Sequence, residues 1–279
     1  MQKVKAACLQ MRSGVSVLPN INVASAQIRE AASNGAQLVA TPEMTNLLDI
    51  RRGVEKERPV VEAEDPSLMA FRSLAGELGI WLLIGSLAIA LEDERRKANR
   101  SFLIAPSGDI AARYDKINMF DVMLGDGQTY RESDAYRPGQ EAVLAKTAIG
   151  AIGLTICYDL RFPQLYRTLA QSGAEILACP AAFTRVTGEA HWHALLRARA
   201  IETGAYILAP AQGGKHQDGR ETYGHALIIS PWGEILAEAD HADPCVTYAD
   251  LDLGEVVKAR QRIPSLASDR PFTIKMSEF

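Results

Sequence analysis

One eight-residue pattern stands twice in this chain, as Gly-Ala-Gln-Leu-Val-Ala-Thr-Pro at 35–42 and Gly-Ala-Glu-Ile-Leu-Ala-Cys-Pro at 173–180. In each copy a glycine closes a helical stretch, an apolar run too short for a helix follows, and a proline stops it. Runs without polar alternation suit strands buried on both faces. The chain is therefore expected to be α/β, made of two pseudo-symmetric halves that cannot each cover a sheet alone. Two sheets packed face to face with helices outside satisfy both. At 279 residues and 47% hydrophobic, the chain can bury one large core of this kind.

Periodicity fills in the halves. The first reads as a strand over 3–11, a helix over 19–33 spaced through Ile21, Ala24, Ile28 and Ala31, and a strand over 37–41 that ends at Pro42-Glu43. A helix over 66–78 is broken by Gly79 and leads to a strongly apolar strand over 80–90. The charged run 92–97 reads as a solvated hairpin tip before a strand over 100–105, and Gly108 begins a strand toward Lys116. In the second half a strand over 151–156 precedes a helix over 163–171 and a strand over 175–179. Thr187 is expected to cap a helix over 188–203, followed by a strand over 205–209. Strands over 222–230 and 234–238 form a hairpin turning at Pro231-Trp232-Gly233. A strand over 247–250, a short helix over 254–262 and a tail over 263–279 complete the chain.

A net charge of −4 with scattered basic residues gives no stripe for tracking phosphates, so nucleic acid is not an expected partner. No apolar run approaches the roughly 20 residues that span a bilayer, and residues 1–10 read as a strand with no cleavage site. A soluble, cytoplasmic protein is expected, with no membrane partner. Cys8, Cys157, Cys179 and Cys245 lie far apart with no C-x-x-C pair, so reduced thiols are expected in place of a zinc ribbon or a disulfide framework.

The sharpest change in chemistry follows the 151–156 strand. Cys157 stands where the apolar run stops, Tyr158, Asp159 and Arg161 follow within a turn, and Pro163 suits the first position of a helix. A strand-to-helix turn points backbone N–H groups outward, where a developing negative charge can be held. Taken alone, a cysteine there is also an ordinary core residue. A catalytic thiol needs a base or a nearby cation. None of the five histidines supplies one convincingly. His191 and His193 are two apart on one helix and project about 200° from each other, too far apart to share a metal. His225 reads as a structural strand residue, and His216 and His241 as loop residues. Glu43, held behind a buried strand and a proline, is better placed, with helix capping as its alternative. Lys116 ends a strand among apolar residues, and a solvated charge is its alternative.

In order, Pro42-Glu43-Met44, Tyr114-Asp115-Lys116-Ile117 with Phe120-Asp121, and Cys157-Tyr158-Asp159-Leu160-Arg161-Phe162-Pro163 resemble the three catalytic motifs of the nitrilase (carbon-nitrogen hydrolase) superfamily. Phe183-Thr184, the stretch from Thr187 to Trp192, and Leu196 to Ala200 narrow the resemblance to the amidase branch that contains deaminated glutathione amidase and omega-amidase. The resemblance implies a four-layer αββα sandwich that pairs into a homodimer or larger homo-oligomer. It implies a carbon-nitrogen hydrolase domain over 1–255, with a C-terminal helix and tail over 256–279 packing on the domain or a partner subunit. It makes Cys157 the nucleophile, Glu43 the general base, Lys116 the oxyanion cation and Glu132 a second glutamate that orients lysine and substrate. Tyr158, Arg161, Phe183 and Thr184 would bind substrate. Arg161 would take a substrate carboxylate, an ion pair with Asp159 being the alternative. The expected reaction is amide hydrolysis on a small carboxylate-bearing compound, deaminated glutathione first and 2-oxoglutaramate next, with no cofactor and no metal. An N-carbamoyl amino acid hydrolase, an aliphatic nitrilase and a non-catalytic binding protein on the same scaffold are the alternatives. Gln164 departs from the branch, which usually has glutamate there.

Overall fold

The computed structural model describes residues 3–51, 54–92, 94–124 and 129–278. Met1, Gln2, Asp93 and Phe279, at the margins of elements expected above, lie outside the described residues. The first half runs β1 (Lys3–Met11), α1 (Val17–Ser33), β2 (Leu38–Ala40), α2 (Pro66–Leu78), β3 (Trp81–Leu91), β4 (Glu94–Ile104) and β5 (Ile110–Asp115). A small ribbon, β6 (Asp121–Met123) and β7 (Thr129–Arg131), follows. The second half runs β8 (Val143–Thr147), β9 (Gly150–Leu154), α3 (Pro163–Gln171), β10 (Ile176–Ala178), α4 (Arg185–Thr203) and β11 (Tyr206–Ala209). Last come β12 (Ala211–Lys215), β13 (Glu221–Tyr223), β14 (Leu227–Ile229), β15 (Ile235–Glu238), β16 (Cys245–Asp252) and α5 (Gly254–Arg262).

Among the described residues one sheet has the order β13-β12-β1-β2-β3-β4-β5 with β16 also alongside β1, and the other has the order β15-β14-β11-β10-β9-β8. The two-residue side-chain period divides β1 between two cores. Val4, Ala6 and Cys8 face the second sheet, packing in one cluster with Ile152, Leu154, Ile176 and Ala178. Ala7, Leu9 and Met11 face the other way, onto Ile21, Ala24 and Ile28 of α1 and Phe71 and Leu74 of α2. On the far side, Leu165 and Leu169 of α3 and Trp192 and Leu196 of α4 join the first cluster. The result is the expected four-layer αββα sandwich, with the repeated octapeptides supplying β2 and β10 at corresponding places.

Capping residues set several boundaries. Asp65 accepts from Leu68 N–H at the start of α2, and Gly79 ends that helix in the left-handed region at φ 64°. Three expectations are corrected. The hairpin between β3 and β4 is tighter than the charge run suggests, because Glu94 to Lys97 already belong to β4. There Lys97 pairs with Ala90 and lays its ammonium over the Tyr136 ring at 4.5 Å. The cap of α4 is Thr184 in place of Thr187, whose N–H it accepts, so that helix begins at Arg185. The strand expected over 222–230 is two strands in different sheets. Gly224 and His225, at φ 71° and 53°, break it, so β13 pairs with β12 in the first sheet and β14 with β11 in the second. Side-chain pattern alone cannot show a chain changing sheets, because both pieces keep their strand periodicity.

The two halves touch closely at Gly85 of β3. A Cβ there would lie 2.0 Å from the Thr41 carbonyl oxygen and 2.5 Å from both the Pro42 oxygen and Pro180 Cβ. Both repeat-ending prolines therefore close on this glycine, and the obstructing atoms are largely backbone. Gly85→Ala is expected to cost about 3 kcal/mol through overpacking, lowering Tm by about 5–10 °C. Differential scanning calorimetry checks this, and an unchanged Tm would contradict it.

Candidate active site

Three loop segments at strand ends converge where the halves meet. Glu43 follows β2 on a loop pinned by Thr45 N–H to Ser86 O and by Met44 N–H to Ser86 Oγ, with Met44 at φ 55°. Lys116 follows β5, its N–H donating to Asn99 O and its carbonyl accepting from Gly139 N–H. Cys157 opens a 3-10 turn through Arg161 just past β9, at φ 50° with its N–H donating to Pro180 O. A left-handed conformation at a non-glycine residue costs of order 1–3 kcal/mol and persists only where surrounding structure over-determines it. Here it occurs at Cys157 itself and immediately after Glu43.

The side chains meet. Lys116 Nζ donates to Glu43 Oε1 at 2.9 Å and to Glu132 Oε2 and Oε1 at 2.8 and 3.0 Å. Glu43 Oε2 accepts from Ala182 N–H at 2.9 Å, and the Cys157 thiol lies within electrostatic reach of the Glu43 carboxylate. Glu132, in the turn after β7, also accepts from Phe120 N–H at 2.7 Å. Glu43, Lys116 and Cys157 are all buried.

Burial alone would push the Lys116 ammonium down, yet the charges of Glu132 and Glu43 outweigh it and hold its pKa well above the ordinary lysine value. Burial likewise raises Glu43, but the Lys116 charge and the hydrogen bonds from Lys116 and Asn99 win and leave it below the usual carboxylate range. The Cys157 thiol is pushed well up, first by burial and then by the Glu43 charge, against a smaller lowering by Lys116. The resting set is therefore thiol, carboxylate and ammonium. A carboxylate poised on a neutral thiol can take its proton as sulfur attacks a carbonyl, while the ammonium faces the place where oxygen gains charge.

The Carbon-nitrogen hydrolase family profile matches residues 5–261. The chain belongs to the carbon-nitrogen hydrolase family. It is 40% identical over 269 residues to a deaminated glutathione amidase of Synechocystis sp., covering 95% of this chain and 98% of that one. To the deaminated glutathione amidase of Yersinia enterocolitica it is 42% identical over 244 residues, covering 85% and 83%. The crystal structure of the C. elegans NitFhit protein superposes with a TM-score of 0.87 at 32% identity, covering 96% of this chain and 65%, less than two thirds, of that one. The chain is thus a hydrolase of carbon-nitrogen bonds and an amidase, on the nitrilase-superfamily fold.

Around the carbon-nitrogen hydrolase centre, the other expected site residues fall into two groups. Tyr158, Arg161 and Phe183 lie together, with the Arg161 guanidinium 5.5 Å from the Phe183 ring centroid and 5.9 Å from that of Tyr158. Arg161 Nη2 is 3.2 Å from His191 Nδ1. The ion pair between Arg161 and Asp159 is not formed. Asp159 is fully buried and accepts from Tyr114 Oη, Ile156 N–H, Asn118 N–H and Asn118 Nδ2 at 2.6 to 2.9 Å. It clamps the Lys116 loop to the cysteine turn, and among the described residues Arg161 pairs with no carboxylate. Thr184 has its hydroxyl 2.8 Å from that of Thr187 in the α4 cap. Gln164 lies exposed near the start of α3.

Sequence reasoning missed Asn99, which is fully buried in β4 and donates from Nδ2 to Glu43 Oε1 and Glu132 Oε1 at 2.9 and 3.1 Å. Its Oδ1 is buried and has no partner among the described residues, an arrangement that costs about 1–3 kcal/mol. Asn99 stands among Arg95, Arg96, Lys97 and Arg100, so the local sequence reads as a polar stretch and carries no signal of the role. Gln212, also missed, donates from Nε2 to Glu43 O at 3.0 Å and so fixes the backbone of the base.

Proposed function

We propose that Cys157, Glu43 and Lys116 hydrolyse the terminal amide of a small carboxylate-bearing compound through a thioester, with deaminated glutathione the favoured substrate and 2-oxoglutaramate next. The observation that carries this reading is one buried carboxylate, Glu43, bonded to the Lys116 ammonium at 2.9 Å and coupled electrostatically to the buried Cys157 thiol. In the first half-reaction the Cys157 sulfur bonds to the amide carbon and Glu43 takes the thiol proton. Lys116 and the Tyr158 N–H receive the oxyanion, each donor contributing about 3–4 kcal/mol. First-turn N–H groups have no intrahelical acceptor, which leaves that of Tyr158 available in kind, whereas the Cys157 N–H is spent on Pro180. The C–N bond breaks, Glu43 returns its proton to nitrogen, and ammonia leaves. Water then attacks the thioester, Glu43 takes a proton from it, the C–S bond breaks, and Glu43 returns that proton to sulfur to restore the thiol. Glu132 holds the ammonium in place throughout, and every step uses groups of this chain.

Substrate choice rests on Arg161, a cation between two aromatic faces that has no carboxylate partner among the described residues and lies in the turn that Cys157 opens. The deaminated glutathione amidases at 40% and 42% identity agree with a carboxylate-bearing amide. A panel assayed for ammonia, containing deaminated glutathione, 2-oxoglutaramate, an N-carbamoyl amino acid, an aliphatic nitrile and propionamide, tests the reading. Arg161→Gln is expected to lower kcat/KM for the carboxylate-bearing amides by about 10- to 100-fold through the loss of a charged hydrogen-bond pair, with little change for propionamide. Equal losses on both would remove Arg161 from substrate recognition.

We also propose cytoplasmic residence and a homodimer or larger homo-oligomer. All four cysteines are free thiols, which suits a reducing compartment and is checked by cell fractionation. No helix among the described residues is long and apolar enough to cross a membrane. Residues 256–279 form the proposed assembly segment. Arg167 and Gln171 of α3 hold it through Ser265, Leu266 and Asp269, and beyond them Phe272, Ile274 and Met276 are 85–87% exposed. Apolar side chains so placed suit burial against a second copy. Sedimentation equilibrium is expected to give at least a dimer for the full chain and smaller species after removal of residues 270–279. An unchanged assembly would contradict the role of the tail.

A further inference from the structure

A second cluster of ligating groups lies outside the catalytic machinery. His193 of α4, His225 in the link between β13 and β14, and Glu238 at the end of β15 bring one ligand atom each to within 4.8 Å of one another. Glu238 Oε1 is 2.9 Å from His193 Nε2 and 2.8 Å from His225 Nδ1. We propose that these three residues bind a divalent cation of the zinc class, with water completing the coordination.

The donor set is the first argument. Two imidazole nitrogens and one carboxylate oxygen suit zinc and its borderline neighbours, not magnesium or calcium, which prefer all-oxygen shells. Ligand atoms about 2.0–2.1 Å from a tetrahedral ion sit roughly 3.3 Å apart, so on binding the two Glu238 contacts of 2.9 and 2.8 Å open slightly while the two imidazole nitrogens, within 4.8 Å of each other, are drawn onto the ion. The backbone is the second argument. His225 sits at φ 53°, with its N–H donating to Asp240 O at 3.2 Å and its carbonyl accepting from Trp192 Nε1 at 2.9 Å. Both ends of a strained residue are held, and the ring is thereby aimed at Glu238.

The surroundings supply the outer contacts that such a site needs. Tyr223 stacks on the His225 ring, centroids 4.4 Å apart, and its Oη lies 3.5 Å from His193 Nδ1. On binding, each imidazole presents a lone pair to the ion and carries its ring hydrogen on the far nitrogen, which for His193 is Nδ1, where Tyr223 Oη can accept it. The ion would join α4 to the place where the chain crosses between sheets. It would also back Trp192, whose ring packs 4.9 Å from that of Phe183 beside the catalytic pocket. The two histidines that share the helix, His191 and His193, do not bind together, and the partners of His193 come from strands far along the sequence.

The test uses the full, untagged chain carrying Cys157→Ser, freed of metal with a chelator and titrated with zinc and with cobalt(II). One equivalent is expected per chain, with a cobalt spectrum lacking a thiolate charge-transfer band and a Tm that rises with zinc concentration. His193→Gln and Glu238→Gln are each expected to weaken zinc at least tenfold and to remove the rise in Tm. The same two substitutions in the Cys157-containing chain should leave ammonia release near the parent level, which reports correct folding. Absence of binding by the parent, binding unchanged in both folded variants, or cobalt held by thiolate would each overturn the proposal.

Discussion

Replacing Cys157 with alanine is expected to reduce ammonia release by at least about 10⁴-fold, the scale on which loss of a covalent nucleophile removes catalysis. The loss should come without unfolding. Glu43 keeps Lys116, Asn99 and Ala182 as partners when the thiol is gone, so no buried charge is stranded. Glu43→Gln should fall less, by about 10²- to 10⁴-fold, because an amide cannot take the thiol proton but leaves the sulfur in place. Steady-state ammonia assays and circular dichroism separate chemistry from folding. Residual activity above about 1% of wild type in a folded Cys157→Ala chain would contradict the nucleophile assignment, since a surviving general base alone cannot supply that rate.

Lys116→Met is expected to have the second-largest effect, and on two properties together. Removing the ammonium leaves Glu43 and Glu132, both largely buried, as like charges without their common cation. Breaking a buried ionic set by deleting one partner costs about 3–5 kcal/mol. Glu43 should also lose the charge that holds its pKa below the usual range. A depressed carboxyl contributes stability above its unfolded pKa and loses that contribution as pH falls through the folded value. In the variant burial is left to raise Glu43, so that acid-side loss of stability shrinks, while the acid limb of kcat/KM moves to higher pH. Urea melts across acidic pH and a pH-rate profile check this. A Lys116→Met chain with parental stability and an unmoved acid limb would show that the ammonium does not govern Glu43.

The three candidate site residues were legible in the sequence through their motif resemblance, and their placement has a physical reason. Glu43, Lys116 and Cys157 each follow a strand, and in a sandwich of two mixed sheets strand ends are where loops can gather side chains. The repeated octapeptide likewise announced β2 and β10, because an unbroken apolar run has few solutions other than a two-faced buried strand. What stayed hidden depends on distance in space. Asn99 faces Glu43 across 56 residues of sequence, and nothing local says that its amide bridges two carboxylates. Asp159 looked like a partner for Arg161 two positions away, but its side chain turns inward to Tyr114 and Asn118. The crossing at Gly224 and His225 was hidden because both strands it separates keep an ordinary pattern, and the four-residue groupings at 184–187 allowed either threonine to cap.

The resting protonation pattern also bears on how the thiol should be probed. With burial and Glu43 holding Cys157 neutral, slow reaction with a general alkylating reagent fits an active enzyme as well as an inactive scaffold. A substrate that brings its own carbonyl to the sulfur is the better reporter. Rapid-quench mass spectrometry of the full chain during turnover of deaminated glutathione is therefore the most direct measurement. The account predicts an adduct equal to substrate less ammonia, located on the peptide that contains Cys157 and absent from Cys157→Ala. Turnover with an acyl group found on another residue, or a folded Cys157→Ala chain that still releases ammonia at the parental rate, would contradict it.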